Sequence, residues 1–199
     1  MKLKLDLHTH CQEAFMLQPP TIHLIGEIIA AVKAKGLAGI GVTEHGNRHY
    51  GQKVKEIVET YYGGEILVIP GHEIDVGAVQ IVELFLPNNS VFRFLAHPGY
   101  PADLRIDKGL HGIELENSLH NHHIDKELVR RLADKHDLLL LCNSDAHQLE
   151  SIGQAYNEIS LDELYARATP LQLSTQQSVQ QMREMLKTIA ASRRRTRGR

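Results

Sequence analysis

Strand-like and helix-like segments alternate along this chain, and that alternation limits its fold more than any other property. Short apolar, β-branched runs occupy 3–7 (LKLDL), 38–43 (AGIGVT), 66–70 (ILVIP), 79–86 (VQIVELFL), 92–96 (FRFLA), 112–117 (GIELEN) and 137–143 (DLLLLCN). Stretches of helical spacing lie between several of them, at 21–36, 53–62 and 125–136. In the first of these, Ile25, Ile28, Ile29 and Val32 share one face, and Gly36 stands where a helix would be capped. Near-continuous apolar strands separated by helices predict an α/β fold with a largely parallel sheet or barrel. ILVIP and VQIVELFL have no helix-length segment between them, so they are expected to pair as an antiparallel detour.

The pattern changes past residue 150. Ser160 and Glu163 form a capping box at the start of LDELYARA, which Thr169-Pro170 stops. Ser174 and Gln177 form another, opening a segment whose Val179, Met182, Met185, Leu186 and Ile189 make an apolar stripe. Both read as packing helices. The chain ends in SRRRTRGR, with five arginines in the last seven residues, which reads as a solvated, disordered tail. The expected organisation is one domain over 1–191 and a basic tail over 192–199, in keeping with 199 residues and a hydrophobic share of 42%.

Composition narrows the partners. A net charge of −2 leaves the body without a general basic field for nucleic acid or membrane. No apolar run approaches the ~20 residues of a membrane span, and MKLKLDLHTH lacks the apolar stretch of a signal peptide. Two cysteines could make at most one disulfide, so a cytoplasmic protein with reduced thiols is expected. Histidine is the outlier, with 13 residues against 4 Phe and no Trp. They are scattered rather than contiguous, which points to metal or proton chemistry and away from a tag.

Their placement is informative. LKLDL runs into His8-Thr9-His10, AGIGVT into Glu44-His45-Gly46, and ILVIP into Gly71-His72-Glu73. FRFLA runs into His97-Pro98-Gly99, GIELEN into a cluster of His120, His122 and His123, and LLLLCN into Asp145-Ala146-His147. Six strands thus deliver a metal-capable side chain just past their C-terminal ends, the face where parallel α/β folds place their sites. A lone His-x-His is a weak sign of metal; six repeats of one placement are a strong one. No G-x-S-x-G elbow, Walker loop or G-x-G-x-x-G is present, and neither cysteine has a triad setting.

In this order, DLHTH, TEHG, the Gly-x-Glu after the third strand, AHPG and SDAH resemble the PHP family, named for polymerase and histidinol phosphatase domains, over about residues 3 to 150. The resemblance implies a distorted seven-stranded (β/α) barrel whose trinuclear metal centre hydrolyses phosphate esters. It implies that His8, His10 and Asp145 hold one metal, that Glu73 bridges two ions, and that His97 serves the second. His45 and His147 serve the third, with Glu13 the nearest carboxylate for it, and Glu44 is expected to support His45. A last ligand is expected about eight residues past Glu114, which selects His122. His120 replaces it if the loop is tighter, and His123 is expected to face the following helix.

Two to three divalent ions are implied. Three of them set against Glu73, Asp145 and Glu13 leave such a centre roughly three charges positive, which favours a phosphate over a neutral carbonyl. Paired ions lower the pKa of shared water, so the expected nucleophile is a metal-bridging hydroxide, with Glu73 and Asp145 as the catalytic carboxylates. Nitrogen-rich sites with carboxylate bridges suit zinc, manganese or iron. Asp6 is a candidate to orient His8, and Arg48, His49, Tyr100 and Arg105 are candidates to hold substrate. His23 and His136 read as structural or surface residues, His111 as lying opposite the site, and His72 as outside it. The expected function is hydrolysis of a small phosphorylated metabolite or nucleotide. The alternatives are a nuclease on single-stranded nucleic acid, with the arginine tail as its one supporting feature, and a non-catalytic metal-binding scaffold.

Overall fold

A computed structural model describes residues 1–99 and 109–171. The chain divides into two compact units, Met1–Thr169 and Pro170–Arg199, and the first is described. Tyr100, Arg105, the helix expected from Ser174 and the 192–199 tail lie outside the described residues.

The strands are β1 (Leu3–Thr9), β2 (Gly39–Val42), β3 (Leu67–Val76), β4 (Val79–Leu86), β5 (Ser90–Leu95), β6 (Gly112–Asn117), β7 (Leu139–Asn143) and β8 (Asn157–Ile159). They are hydrogen-bonded in the order β7-β6-β5-β4-β3-β2-β1-β8. The pairs β1/β2, β2/β3, β5/β6 and β6/β7 are parallel. Strand β4 is antiparallel to both neighbours, which is the detour expected where no helix separates two runs. The result is a nearly closed barrel-shaped sheet of mixed direction, as the distorted (β/α) barrel implied by the resemblance requires. β1 to β7 make the wall and β8 pairs antiparallel with β1.

Three apolar clusters account for the layers. Leu5, Leu7, Ile69, Val82, Leu84, Phe92, Phe94 and Leu141 come from five strands and fill the barrel. Helix α2 (Ile22–Ala34) buries Ile25, Ile28, Ile29 and Val32, the four residues of its sequence stripe, and Thr21 Oγ1 caps it by accepting the Leu24 amide. With α3 (Arg48–Tyr61), which buries Val54, Ile57 and Val58, it covers β2 and β3. Gly51 is needed here, because a Cβ would stand 2.8 Å from the Val42 carbonyl oxygen. Helix α4 (Lys126–His136) packs against β6 and β7 and buries Val129 and Ala133 in one cluster with Ile113 and Leu138. Helix α5 (Leu161–Arg167) is capped by Ser160 Oγ, which accepts the Glu163 amide, half of the expected box.

Where β1 meets β7 the barrel closes without a regular ladder. The Asn157 amide bridges the gap, its Nδ2 donating to the carbonyls of Leu5 (3.2 Å) and Cys142 (2.8 Å) and its Oδ1 accepting the Cys142 amide (2.9 Å). Asn143 Oδ1 accepts the Leu7 amide at 3.0 Å. Above them the loops join directly, His10 N–H to the Ala146 carbonyl (2.8 Å) and Asp145 N–H to the His8 carbonyl (2.9 Å).

Two register slips sit at this end of the barrel, one in β1 between Asp6 and Thr9 and one in β6 between Glu114 and Glu116. An extra residue in a strand reverses the in-out alternation beyond it. In β1 this lets His8 and His10 follow the core residues Leu5 and Leu7 inward. In β6 it buries both Glu114 and Asn117, which strict alternation would place on opposite faces.

Candidate metal centre

The ends of β1, β2, β3, β5, β6 and β7 bring their histidines and carboxylates together. His8 Nε2 and His10 Nε2 are 3.1 Å apart, and Asp145 Oδ1 lies 3.4 Å from the first and 3.1 Å from the second. Glu73 stands between neighbouring groups. Its Oε1 is 3.1 Å from His97 Nε2 and 3.6 Å from His8 Nε2, and its Oε2 is 3.1 Å from His45 Nδ1 and 3.5 Å from His10 Nε2. Donor atoms close enough to share an ion form three groups: His8, His10 and Asp145; His97, His120 and Asp145; and His10, Glu13, His45 and His147. Glu13 sits on the short helix α1 (Cys11–Ala14), within 3.6 Å of His45 and 3.7 Å of His147.

His122 is not drawn in. It is exposed, with its ring centroid 3.6 Å from that of His123 and 6.5 Å from that of His120. His120 approaches instead, with Nε2 3.7 Å from Asp145 Oδ2. The cause is Asn117, whose Oδ1 accepts the amides of Leu119 (3.1 Å) and His120 (2.9 Å) and tightens the turn. The backbone bends sharply at two of these positions, with φ +24° at His97 and +56° at Asp145, a region that L residues adopt at a cost.

Glu114 is the residue that spacing arguments pass over. Its buried carboxylate accepts from Asn143 Nδ2 (2.8 Å), Asn117 Nδ2 (2.9 Å) and the His97 amide (2.7 Å). Its Oε1 also lies 3.0 Å from His8 Nδ1, which makes that nitrogen the donor and leaves His8 Nε2 facing the cluster. Asn117 Nδ2 also reaches Asp145 Oδ2 at 3.1 Å. The sequence sign was a glutamate and an asparagine on one strand, obscured by the bulge between them.

Asp6 acts differently from the expectation. It accepts from the amides of Ser144 (3.1 Å) and Gly153 (2.9 Å) and from the Ser144 hydroxyl, and it meets the His8 amide at 3.5 Å rather than its ring. Burial raises its carboxyl to about 6. Glu44 accepts the Gln12 amide at 2.8 Å, holding the helix that carries Glu13 rather than bonding His45; burial pushes it up to about 7. Arg48 and His49 are exposed at the start of α3, beside the His45 turn. His72 pairs with Glu83, His23 with Glu27, and His111 with the Arg93 amide and Thr169, all away from the cluster.

The donor set fits a cation. Glu73, Asp145 and Glu114 are buried, at 2%, 2% and 0% exposure. Among the described residues no lysine or arginine pairs with any of them. Among the described residues, Asp145 Oδ1 and His10 Nδ1 are buried and find no hydrogen-bond partner. Uncompensated carboxylates are costly in a low-dielectric interior unless positive charge joins them. Burial alone would lower the His8 pKa, yet Asp145, Glu114 and Glu73 outweigh it and raise the ring well above its usual value. Burial pushes His10 down to about 4, leaving it neutral and able to donate an electron pair. Glu73 and Asp145 are held well below the ordinary carboxylate range by His8 and their other imidazole partners, against burial.

A mixed barrel with histidines and carboxylates gathered at its strand ends defines the class, and comparison places it more closely. Residues 123–168 match a PHP-associated family. No curated protein matches the chain in sequence. A candidate metal-dependent phosphoesterase of Bifidobacterium adolescentis is 14% identical, with a TM-score of 0.61 over 84% of this chain and 97% of that one. PsfC of Pseudomonas syringae is 14% identical, with a TM-score of 0.61 over 95% and 99%. An amidohydrolase of Chromobacterium violaceum, with sulfate and no metal bound, is 15% identical, with a TM-score of 0.58 over 83% and 97%. The family match is confined to 123–168, and the solved structures share the fold of this chain.

Proposed function

We propose that this protein is a metal-dependent phosphoesterase that hydrolyses a small phosphorylated metabolite or nucleotide. The observation that carries the reading is the pair of buried carboxylates, Glu73 and Asp145, set among six imidazoles with no lysine or arginine partner among the described residues. Zinc, manganese and iron suit this donor set better than calcium or magnesium.

The three donor groups support a reading with three positions. His8, His10 and Asp145 would hold one ion, His97 and His120 with Asp145 a second, and Glu13, His45 and His147 a third, with Glu73 shared. His120 takes the place that spacing alone gave to His122. Bound divalent ions would supply Lewis-acid polarisation of a phosphoryl oxygen and lower the pKa of water beside it. Glu114 holds the His8 tautomer, Asn117 holds Asp145, and Arg48 stands exposed at the rim as a candidate phosphate contact. The barrel wall excludes water from beneath, which strengthens each charge at the mouth.

The names of two structural neighbours suggest the two hydrolytic classes to compare, phosphate ester and amide. Net positive charge at a loaded centre favours the phosphate. The test is hydrolysis of 4-nitrophenyl phosphate, its bis ester, an N-acyl amide and a short oligonucleotide with added manganese, zinc or iron. Turnover of the monoester, lost in Asp145→Ala with the fold intact, is expected. Activity confined to the amide or to the oligonucleotide, or no bound metal and no metal-dependent activity, would overturn the reading.

A further inference from the structure

Two cavities open beside the centre. One of about 230 Å3 shares only His97 with it and carries the anionic Asp75. The other, about 210 Å3, lies between the loops after β6 and β7 and shares both Asp145 and His147 with the centre. We propose that this second cavity receives the alcohol side of the ester, and that the alcohol is a short, uncharged, hydroxyl-rich group of the polyol or sugar type. This rests on the phosphoesterase reading above.

Position comes first. Asp145 belongs to two of the three donor groups, and His147 to the third. A phosphoryl group held at the centre therefore has its ester oxygen within reach of the cavity these two residues border. Chemistry comes second. Beyond them the described lining is Ser118, Ser144, Gln148, Ser151 and Gln154, with Leu119 as its one apolar side chain. Hydroxyls and primary amides both donate and accept, as a ligand with several hydroxyls requires. Among the described residues no lysine or arginine lines the cavity, so they offer a second phosphate or a carboxylate no counter-charge. Nor does any described Phe or Tyr line it, so these residues give a base no platform on which to stack. Size comes third. The volume is on the order of seven liquid-water volumes, below the ~300–1,000 Å3 that takes drug-sized ligands. Sites that hydrogen-bond a hydroxyl reject analogues that replace it, because their own polar groups are then left unpaired.

The experiment compares kcat/KM for glycerol 1-phosphate and 3-phosphoglycerate in the manganese-loaded protein. These two alcohols are of similar size and differ by a carboxylate. The glycerol ester is expected to be preferred by about tenfold or more. Gln148→Lys, a change at an exposed position, supplies the missing cation and is expected to lower that ratio by about tenfold. Equal or reversed preference in the unmodified protein, or a ratio unmoved by Gln148→Lys, would overturn the inference. Turnover of 4-nitrophenyl phosphate with neither ester cleaved overturns it while leaving the phosphoesterase reading intact. No turnover of any phosphate ester overturns both.

Discussion

Glu114 Oε1 lies 3.0 Å from Nδ1 of His8, across the barrel from strand β6 to strand β1. The same carboxylate accepts the amide of His97 and the side-chain amides of Asn117 and Asn143. One buried group thus sets the attitude of three candidate ligands, with Asn117 carrying the influence on to Asp145.

Replacing Glu114 by Ala should weaken metal affinity and kcat/KM by about 10- to 100-fold, the usual cost of losing a partner behind a metal-bound imidazole. It should also cost about 3 kcal/mol of stability, since four donors lose one buried acceptor. Metal analysis after dialysis and urea denaturation read the two effects. Glu114→Gln should rescue little, because its NH2 group would face donors.

His120→Ala should lose bound metal, and His122→Ala should retain it. The turn drawn in by Asn117 makes the difference, so Asn117→Ala should resemble His120→Ala. Counting ions per chain in the three variants decides it. Loss only in His122→Ala would mean that the loop has the looser register.

Asn157→Ala should destabilise the fold by about 3 kcal/mol with little change in the urea m value. Its bonds run to Leu5, Cys142 and Asn143 rather than to a candidate ligand, and they link β1 to β7.

Much of this was legible in the sequence. Alternating runs and helical stripes such as Ile25, Ile28, Ile29 and Val32 specify burial directly, so the α/β barrel and the antiparallel β4 could be read from them. The gathering of His8, His10, His45, Glu73, His97, Asp145 and His147 followed from their place at or beyond the C-terminal part of an apolar run, although β1 extends to include His8 and β3 to include Glu73. What escaped depended on bulges and side-chain hydrogen bonds. A slip in β6 put Glu114 and Asn117 on one side, and Asn117 shortened a loop by bonding its own backbone. Periodicity carries neither kind of information.

Glu83 offers a pH test away from the centre. Its hydrogen bond from His72 holds its carboxyl down to about 2, with Arg93 adding to the effect and burial opposing it. A depressed carboxylate stabilises the fold above its unfolded pKa of 4.5, and the contribution fades as pH falls toward about 2. Glu83→Gln should therefore be less stable at pH 7 by about 2 kcal/mol, and the gap should close in acid. Denaturation curves for both proteins at pH 7 and pH 3 check the sign. A gap that widens in acid would contradict it.

Adding manganese or zinc at about 100 times the dissociation constant should raise stability by about 2.7 kcal/mol. The gain, read as a rise in Tm, should vanish in Asp145→Ala and persist in Gln148→Lys.

The joint between β1 and β7 has a further consequence. His8 and His10 stand on one bank of it, Asp145 and His147 on the other, and below them the strands are held by amide side chains rather than a ladder. A cation gripped from both banks would act as a rivet across the weakest line of the wall. Breathing of the barrel and escape of the ion would then be one event. The Leu7 and Cys142 amides, which donate to the side-chain oxygens of Asn143 and Asn157, should exchange with solvent at a rate set by the metal concentration.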